Sequence, residues 1–405
     1  MAAALSGIET PDERTVVFRF KQPYAPLLGQ LDVTEAPILP RHIYQGSDPQ
    51  TNPANANPVG TGPYRFASYR KGAEIRFERN PAYFKSGLPR MDDLVMRIIP
   101  EASTQVLALE NGEVDFLWDV PGPHRARLQA NPRLRSAETA FNPGGANCIM
   151  TVAFNLERPA LKDVRLRRAL AQAVDRQAFV DQILFGGGSV ASAPISSGIP
   201  WAHASGLSLP RFDRAEAERL LDSLGWRREG TGPRAARGVS GVPEGTRLDL
   251  ELLHFPAFAK YGELLRQQLA AVGVGVTQRP LEPAVFAPAV FKERAFDAAL
   301  ISYCHGPDPE VGFRRTVDSA QIGPVPFTNA AGYRNQAVDA LLDRTARTVD
   351  REARARHYRQ IQEAAVADLP YLWLVETMAT RVWSAECEGF KPWTGLFAEA
   401  ASCRR

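Results

Sequence analysis

Residues Ile301–Glu310 read ISYCHGPDPE. A phenol, a thiol and an imidazole follow one another at Tyr303, Cys304 and His305, and two carboxylates, Asp308 and Glu310, flank Pro309 just beyond. The run DAALIS before them is apolar enough for a buried strand. Polar groups at the carboxyl end of such a strand lie where α/β sheets hold ligands. The residue types suit recognition; the alternative is that the Gly-Pro-Asp-Pro turn only punctuates the chain.

No reaction chemistry is spelled elsewhere. The six histidines, His42, His124, His203, His254, His305 and His357, show no H-x-x-x-H or H-x-x-E-H spacing. No G-x-S-x-G elbow or phosphate-binding Lys motif occurs. The glycines of PVGTGPYRF, Pro58–Phe66, do not form a phosphate cradle. Pro63 removes a backbone donor there, and the residues beyond it alternate as a hairpin instead of opening a helix. Cys148, Cys304, Cys387 and Cys403 lie far apart without C-x-x-C spacing. Zinc is not expected on that basis, and most of the four read as unpaired thiols. One disulfide is allowed, with its pair unassigned. Catalytic residues, metal ligands and cofactors are expected to be absent.

The elements that must position Ile301–Glu310 are set by periodicity. RTVVFRF alternates as a strand, and YRFASYRKGAEIRFERN reads as two strands around an RKG turn. DDLVMRIIP is another strand, a helix starts near Ser103 and stops at Gly112, and a strand passes through Phe116 and Trp118. NCIMTVAFN is a strand leading into the longest helical stretch, LKDVRLRRALAQAVDRQAFVDQILFGGG, with Leu170 and Val174 in the core. A helix capped by Asp213 ends at Gly225. Strands at TRLDLELLHF, GVTQRPL and DAALISY then alternate with helices at YGELLRQQLAAVG and PAVFAPAVFKERAF. Two more helices precede the strand YLWLVET, where Trp373 reads as core. Strand–helix alternation from about Asn155 onward means an α/β lobe.

Composition limits the partners. The 405 residues carry a net charge of +3 with acids and bases interleaved, 44% hydrophobic and 23% charged. Two domains are expected at that length, and neither nucleic acid nor a membrane surface is a natural partner. The N-terminal stretch MAAALSGIETPDER has no basic region and no apolar core of a secretory signal.

Taken in order, these segments resemble the periplasmic solute-binding proteins of peptide/nickel ABC importers, the dipeptide- and oligopeptide-binding family. The resemblance runs from NPVGTGPYRFASYRKGAEIRFERNPAYF through VAFNLERPALKDVRLRRALAQAVDRQAFV and FDAALISYCHGPDPE to LPYLWLVE. It implies an α/β, two-lobed periplasmic-binding-protein-like fold (type II, cluster C) with a hinge and an enclosed ligand. The chain should cross near Phe154–Asn155 and return near Arg381–Trp383. Residues 1–154 would form a strand-rich first lobe, 155–381 the α/β second lobe, and 382–405 the return. Family members carry a signal peptide and a long section before the strand equivalent to RTVVFRF, so the first lobe is expected to be partial. The implied function is capture of a small peptide or peptide-sized solute in the periplasm, by a monomer that docks on membrane permease subunits. A nickel chelate is the alternative ligand, and a sensory or inactive module the alternative role.

The resemblance also nominates residues. Tyr303, Cys304, His305 and Asp308 lie on the ligand-facing segment, joined by Asn142 and Asn147 near the crossing strand; Tyr303 would stack or hydrogen-bond, His305 would meet a polar or anionic group, and Asp308 would orient the loop or meet a cation. Where dipeptide binders hold the ligand's amino group with an aspartate, this chain has His305. Where they hold its carboxylate with an arginine, this chain has HFPAFAK, with His254 and Lys260 the nearest substitutes.

Overall fold

The computed structural model describes residues 4–31, 36–49, 51–139, 147–391 and 398–404. Backbone contacts divide the chain into two compact units, Met1–Gln30 with Ala146–Thr377, and Leu31–Gly145 with Met378–Arg405. The expected crossings were near Phe154–Asn155 and Arg381–Trp383. Among the described residues no helix is long and apolar enough to cross a membrane.

A six-stranded sheet organises the larger unit. Its strands are β1 (Asn147–Phe154), β2 (Gly188–Val190), β3 (Asp249–His254), β4 (Gly275–Pro280), β5 (Ala298–His305) and β6 (Tyr371–Thr377), in the spatial order β4-β3-β5-β1-β6-β2. β3 pairs in parallel with both β4 and β5, while β1 runs antiparallel to β5 and β6. β1 is buried from Cys148 to Phe154, because helices cover both faces of the sheet. That is why NCIMTVAF reads as a continuous apolar run and not as an alternation.

Register decides which side chains share a face. Tyr303 stands opposite Ile149, while Ile301 and Trp373 both stand opposite Thr151, so these residues look to one side. Cys304 opposite Cys148, and Leu300 opposite Val152, look to the other. On that second side lie α1 (Val164–Gln172) and α3 (Ala259–Ala271), whose Leu170, Leu265 and Leu269 face Val152, Phe154 and Leu372. Burying each such side chain contributes about 1.5–3 kcal/mol. On the Tyr303 side, Phe313 meets Tyr358 of α5 (Arg351–Asp368), which packs on α4 (Gln336–Arg347). Asn335 and Asp350 cap these two helices with their side-chain oxygens.

Two expectations need correcting. The long helix expected after Asn155 is broken into a 3₁₀ turn, α1, and α2 (Gln177–Gln182). Asp175 is the cause. Its amide donates to Gln268 on α3 (2.8 Å), away from the helical ladder, and its carboxylate accepts from the Gln177 amide to start a new helix. The cysteines are also not mostly unpaired: Cys148 joins Cys304, and Cys387 joins Cys403. Each pair stands directly opposite across antiparallel strands, a relation fixed by tertiary register and absent from local spacing.

The smaller unit holds an antiparallel sheet of Tyr64–Arg70, Glu74–Arg79 and Asp93–Arg97, with Gly72 at φ 75° closing the first hairpin. A second sheet pairs Ala379–Ser384 with Phe116–Leu117 and Leu134–Thr139. Its core is small: Val106, Leu109, Leu117, Val120, Leu128 and Val382.

Candidate functional site

β5 ends in the segment that sequence chemistry singled out, and alternation splits its residues. Tyr303 and His305 point to one face and Cys304 to the other. Cys304 is consumed by its disulfide with Cys148, so it offers no thiol to a ligand, which corrects the expectation that it lines the site beside its neighbours.

Tyr303 is buried, and its hydroxyl donates to the Thr328 carbonyl at 2.8 Å. Burial pushes this phenol well above its ordinary range, so it stays a donor throughout the physiological window. His305 is 2% exposed and packs edge-on against Phe313, with ring centroids 5.9 Å apart. Burial first, and the nearby Arg315 second, lower its pKa to about 3, so the imidazole is neutral.

His305 and Tyr303 line a small pocket floored by Ile149 and Thr151 of β1 and by Tyr371 and Trp373 of β6, with Thr316 closing it. The hydroxyls around it are satisfied. Thr151 donates to the Ile301 carbonyl (3.0 Å), Thr316 to that of Phe313 (2.7 Å) and Tyr371 to that of Thr316 (2.8 Å). His305 Nδ1 is buried without a hydrogen-bond partner. One neutral imidazole nitrogen is thus left to accept or donate a single bond in an otherwise saturated pocket.

Asp308 has a different task. Both its oxygens accept from Arg354 of α5, at 2.7 and 2.8 Å, in a buried two-point pair. The same carboxylate caps the Glu310 amide at 3.0 Å, ordering the 306–311 turn. Arg354 stacks on Trp201 at 5.1 Å, and the Trp201 indole donates to the Pro307 carbonyl. Next to this pair, Arg314 bridges Glu310, Asp318 and Asp343 at 3.0, 2.9 and 2.6 Å. Burial raises the Glu310 carboxyl, against the pull of Arg314. Gly29 is pressed onto this turn, since a Cβ there would stand 2.9 Å from the Asp308 Cβ.

The remaining nominated residues are not gathered here. His254 ends β3, buried, with its Nδ1 against the Phe255 carbonyl at 2.8 Å. Because Leu253 pairs with Ala299, His254 is level with Leu300, five residues short of His305, or about 17 Å along the strands. The two imidazoles therefore do not form a joint metal-ligating pair. Lys260 is exposed on the first turn of α3. Asn147 stands opposite His305 in the β1–β5 ladder, and Asn142 lies outside the described residues. Among those residues, the one cluster with metal-ligating atoms close together is Asp115, Cys387 and Cys403, and both of its sulfurs are in a disulfide.

Sequence reasoning missed Arg354. The signal was present: it occupies the stripe Arg354, Tyr358, Ile361, Ala365 of α5, where a basic residue among apolar ones needs a buried acid. It also missed Glu376, buried opposite Ile149 and accepting from Ser196 Oγ (3.1 Å), Ser197 Oγ (2.5 Å) and the Ser197 amide (3.0 Å). A lone Glu in YLWLVET gives no local sign of those partners.

Comparison with known proteins adds the context. Residues 2–323 match the family described as bacterial extracellular solute-binding proteins, family 5 Middle. Protein XP55 of Streptomyces lividans is 32% identical over 365 residues, which cover 89% of this chain and 62% of XP55. The chain thus spans less than two thirds of that relative's length. The oligopeptide-binding protein AppA of Bacillus subtilis, solved with a nonapeptide, superposes with a TM-score of 0.82 at 23% identity, covering 99% of this chain and 79% of AppA. NikA of Brucella suis, solved with Fe(III)-EDTA, gives 0.81 at 23% identity, covering 99% and 80%. These superpositions establish the periplasmic-binding-protein fold.

Proposed function

The chain belongs to the bacterial extracellular solute-binding proteins of family 5, and on that footing we propose that it is the capturing component of an ABC importer. It takes peptides or a peptide-sized polar solute, holds it without covalent chemistry, and delivers it to permease subunits in the membrane. It works in the periplasm, as a monomer. The observation that carries the reading is the continuity of the family match across residues 2–323, which includes β1, β5 and the turn ordered by Asp308.

Such a protein is stabilised by what it binds. A thermal melt of residues 1–405 with a mixed peptide pool tests this. Ligand at about 100 times its Kd adds ~2.7 kcal/mol to folding, enough to raise the midpoint by a few degrees. A cooperative melt that no peptide moves contradicts the reading. Nickel with free histidine is the control for a metal-chelate solute. That alternative is weakened by the separation of His254 from His305, and a shift with nickel–histidine alone would reinstate it.

A further inference from the structure

Immediately beyond β3, at the carboxyl ends of the parallel strands β3 and β4 and beside the middle of β5, five phenylalanine rings form a continuous shelf. Phe258 lies 5.7 Å from Phe255, Phe255 lies 4.6 Å from Phe286 and 6.4 Å from Phe327, and Phe291 lies 6.2 Å from Phe327. Phe286 and Phe291 are buried and make the floor, Phe255 and Phe258 are half-buried, and Phe327 is 39% exposed. Val285 and Val325, near two of these rings in sequence, are 53% and 61% exposed.

Phe327 is held open at some cost. Its φ is 60°, a left-handed backbone that a bulky residue adopts only when its surroundings impose it. The surroundings do impose it: the Thr328 carbonyl accepts the Tyr303 hydroxyl, and the Thr328 hydroxyl donates to the Val325 carbonyl at 2.7 Å. β5 therefore fixes the backbone that presents the ring. Strained residues presented by a rigid scaffold at strand ends concentrate at ligand sites.

The charges here do not suit an anionic group. Among the described residues no lysine or arginine stacks on any of the five rings. His254 is buried with its Nδ1 turned to the Phe255 carbonyl, and Lys260 is exposed on α3. An apolar side chain would meet the three rings that are not fully buried, Phe255, Phe258 and Phe327, over the floor of Phe286 and Phe291.

We propose that the Phe255–Phe258–Phe286–Phe291–Phe327 shelf is a specificity surface that takes an aromatic or branched apolar side chain of the bound solute. The inference rests on the peptide-binding reading above. It narrows that reading from peptides in general to peptides bearing such a side chain.

The test titrates residues 1–405 by calorimetry with four tetrapeptides, Ala-Phe-Ala-Ala, Ala-Leu-Ala-Ala, Ala-Ser-Ala-Ala and Ala-Glu-Ala-Ala. The Phe and Leu peptides should bind between about tenfold and a hundredfold tighter than the Ser and Glu peptides, as burial of one large apolar side chain requires. Phe327→Gly removes the exposed ring and relieves the left-handed backbone together. It should keep or raise the melting midpoint and hold the affinity for the Ser peptide, while the preference falls below threefold. Should that variant melt early, Phe327→Asn, which also accepts a positive φ, takes its place. Peptides binding without apolar preference, or a preference untouched by Phe327→Gly, overturns the shelf and leaves the peptide-binding reading standing. A chain that binds none of the four overturns both.

Discussion

Replacing Arg354 with methionine tests the account of the 306–311 turn. The substitution keeps volume and helix propensity but leaves the Asp308 carboxylate, 8% exposed, without its two-point partner at 2.7 and 2.8 Å. Removing one member of a buried pair costs about 3–5 kcal/mol, most of it the uncompensated charge left behind. The stacking of Arg354 on Trp201 goes as well. In a domain of this order that is roughly a 10 °C fall in melting midpoint.

Without the guanidinium, the buried Asp308 carboxylate keeps, among the described residues, only the Glu310 amide as a donor. Arg354→Met with Asp308→Asn should recover most of the loss, since it removes the stranded charge. Urea melts of wild type, both single variants and the double variant at pH 7.5 give the coupling directly. An Arg354→Met protein within about 1 kcal/mol of wild type, or a double variant no better than the single, would mean that the pair does not hold the turn.

Two further outcomes are expected. Protein unfolded in guanidinium without reductant should show no reactive thiol, and four after reduction. On loop entropy, losing the Cys148–Cys304 link across 156 residues should cost up to about 5 kcal/mol, against about 3 for Cys387–Cys403 across 16. One reactive thiol before reduction would contradict the pairing. His305, held neutral with a pKa of about 3 by burial, should not titrate by NMR between pH 5 and 8. Because its folded pKa lies below its unfolded value, its contribution to stability is whole above pH 6.5 and is lost as pH falls toward 3. His305→Gln should therefore flatten the acid side of the stability profile, and an imidazole titrating near 6.5 would contradict its burial.

Much of the fold is legible in the sequence because its elements are specified locally. The hairpin Tyr64–Arg79 comes from alternation and a Gly turn, α3 from its stripe of leucines, and Asp213 from a capping pattern that the structure repeats, with its carboxylate on the Glu216 amide at 2.9 Å. The PVGTGPY stretch is a turn into a strand, tied by Asn80 to the Gly62 carbonyl at 2.8 Å. The features that escape the sequence are set by register and by distant partners. Cys148 and Cys304 are opposite only because β1 and β5 pair in one phase. His254 and His305 look equivalent as strand-end imidazoles until β3 and β5 are aligned. Asp308 finds Arg354 across 46 residues, and Asp175 breaks a helix whose periodicity continues through it, because Gln268 takes its amide. Phe327 shows its left-handed backbone only once Thr328 is tied to Tyr303.

Peptide capture by this chain is tested by retention. Residues 1–405 are incubated with a defined peptide library, separated from free peptide by size exclusion, denatured, and the released peptides identified by mass spectrometry. A subset should be retained at about one per chain, enriched in aromatic and branched apolar side chains. A protein that melts cooperatively and retains no peptide above the background of an unrelated control would contradict it.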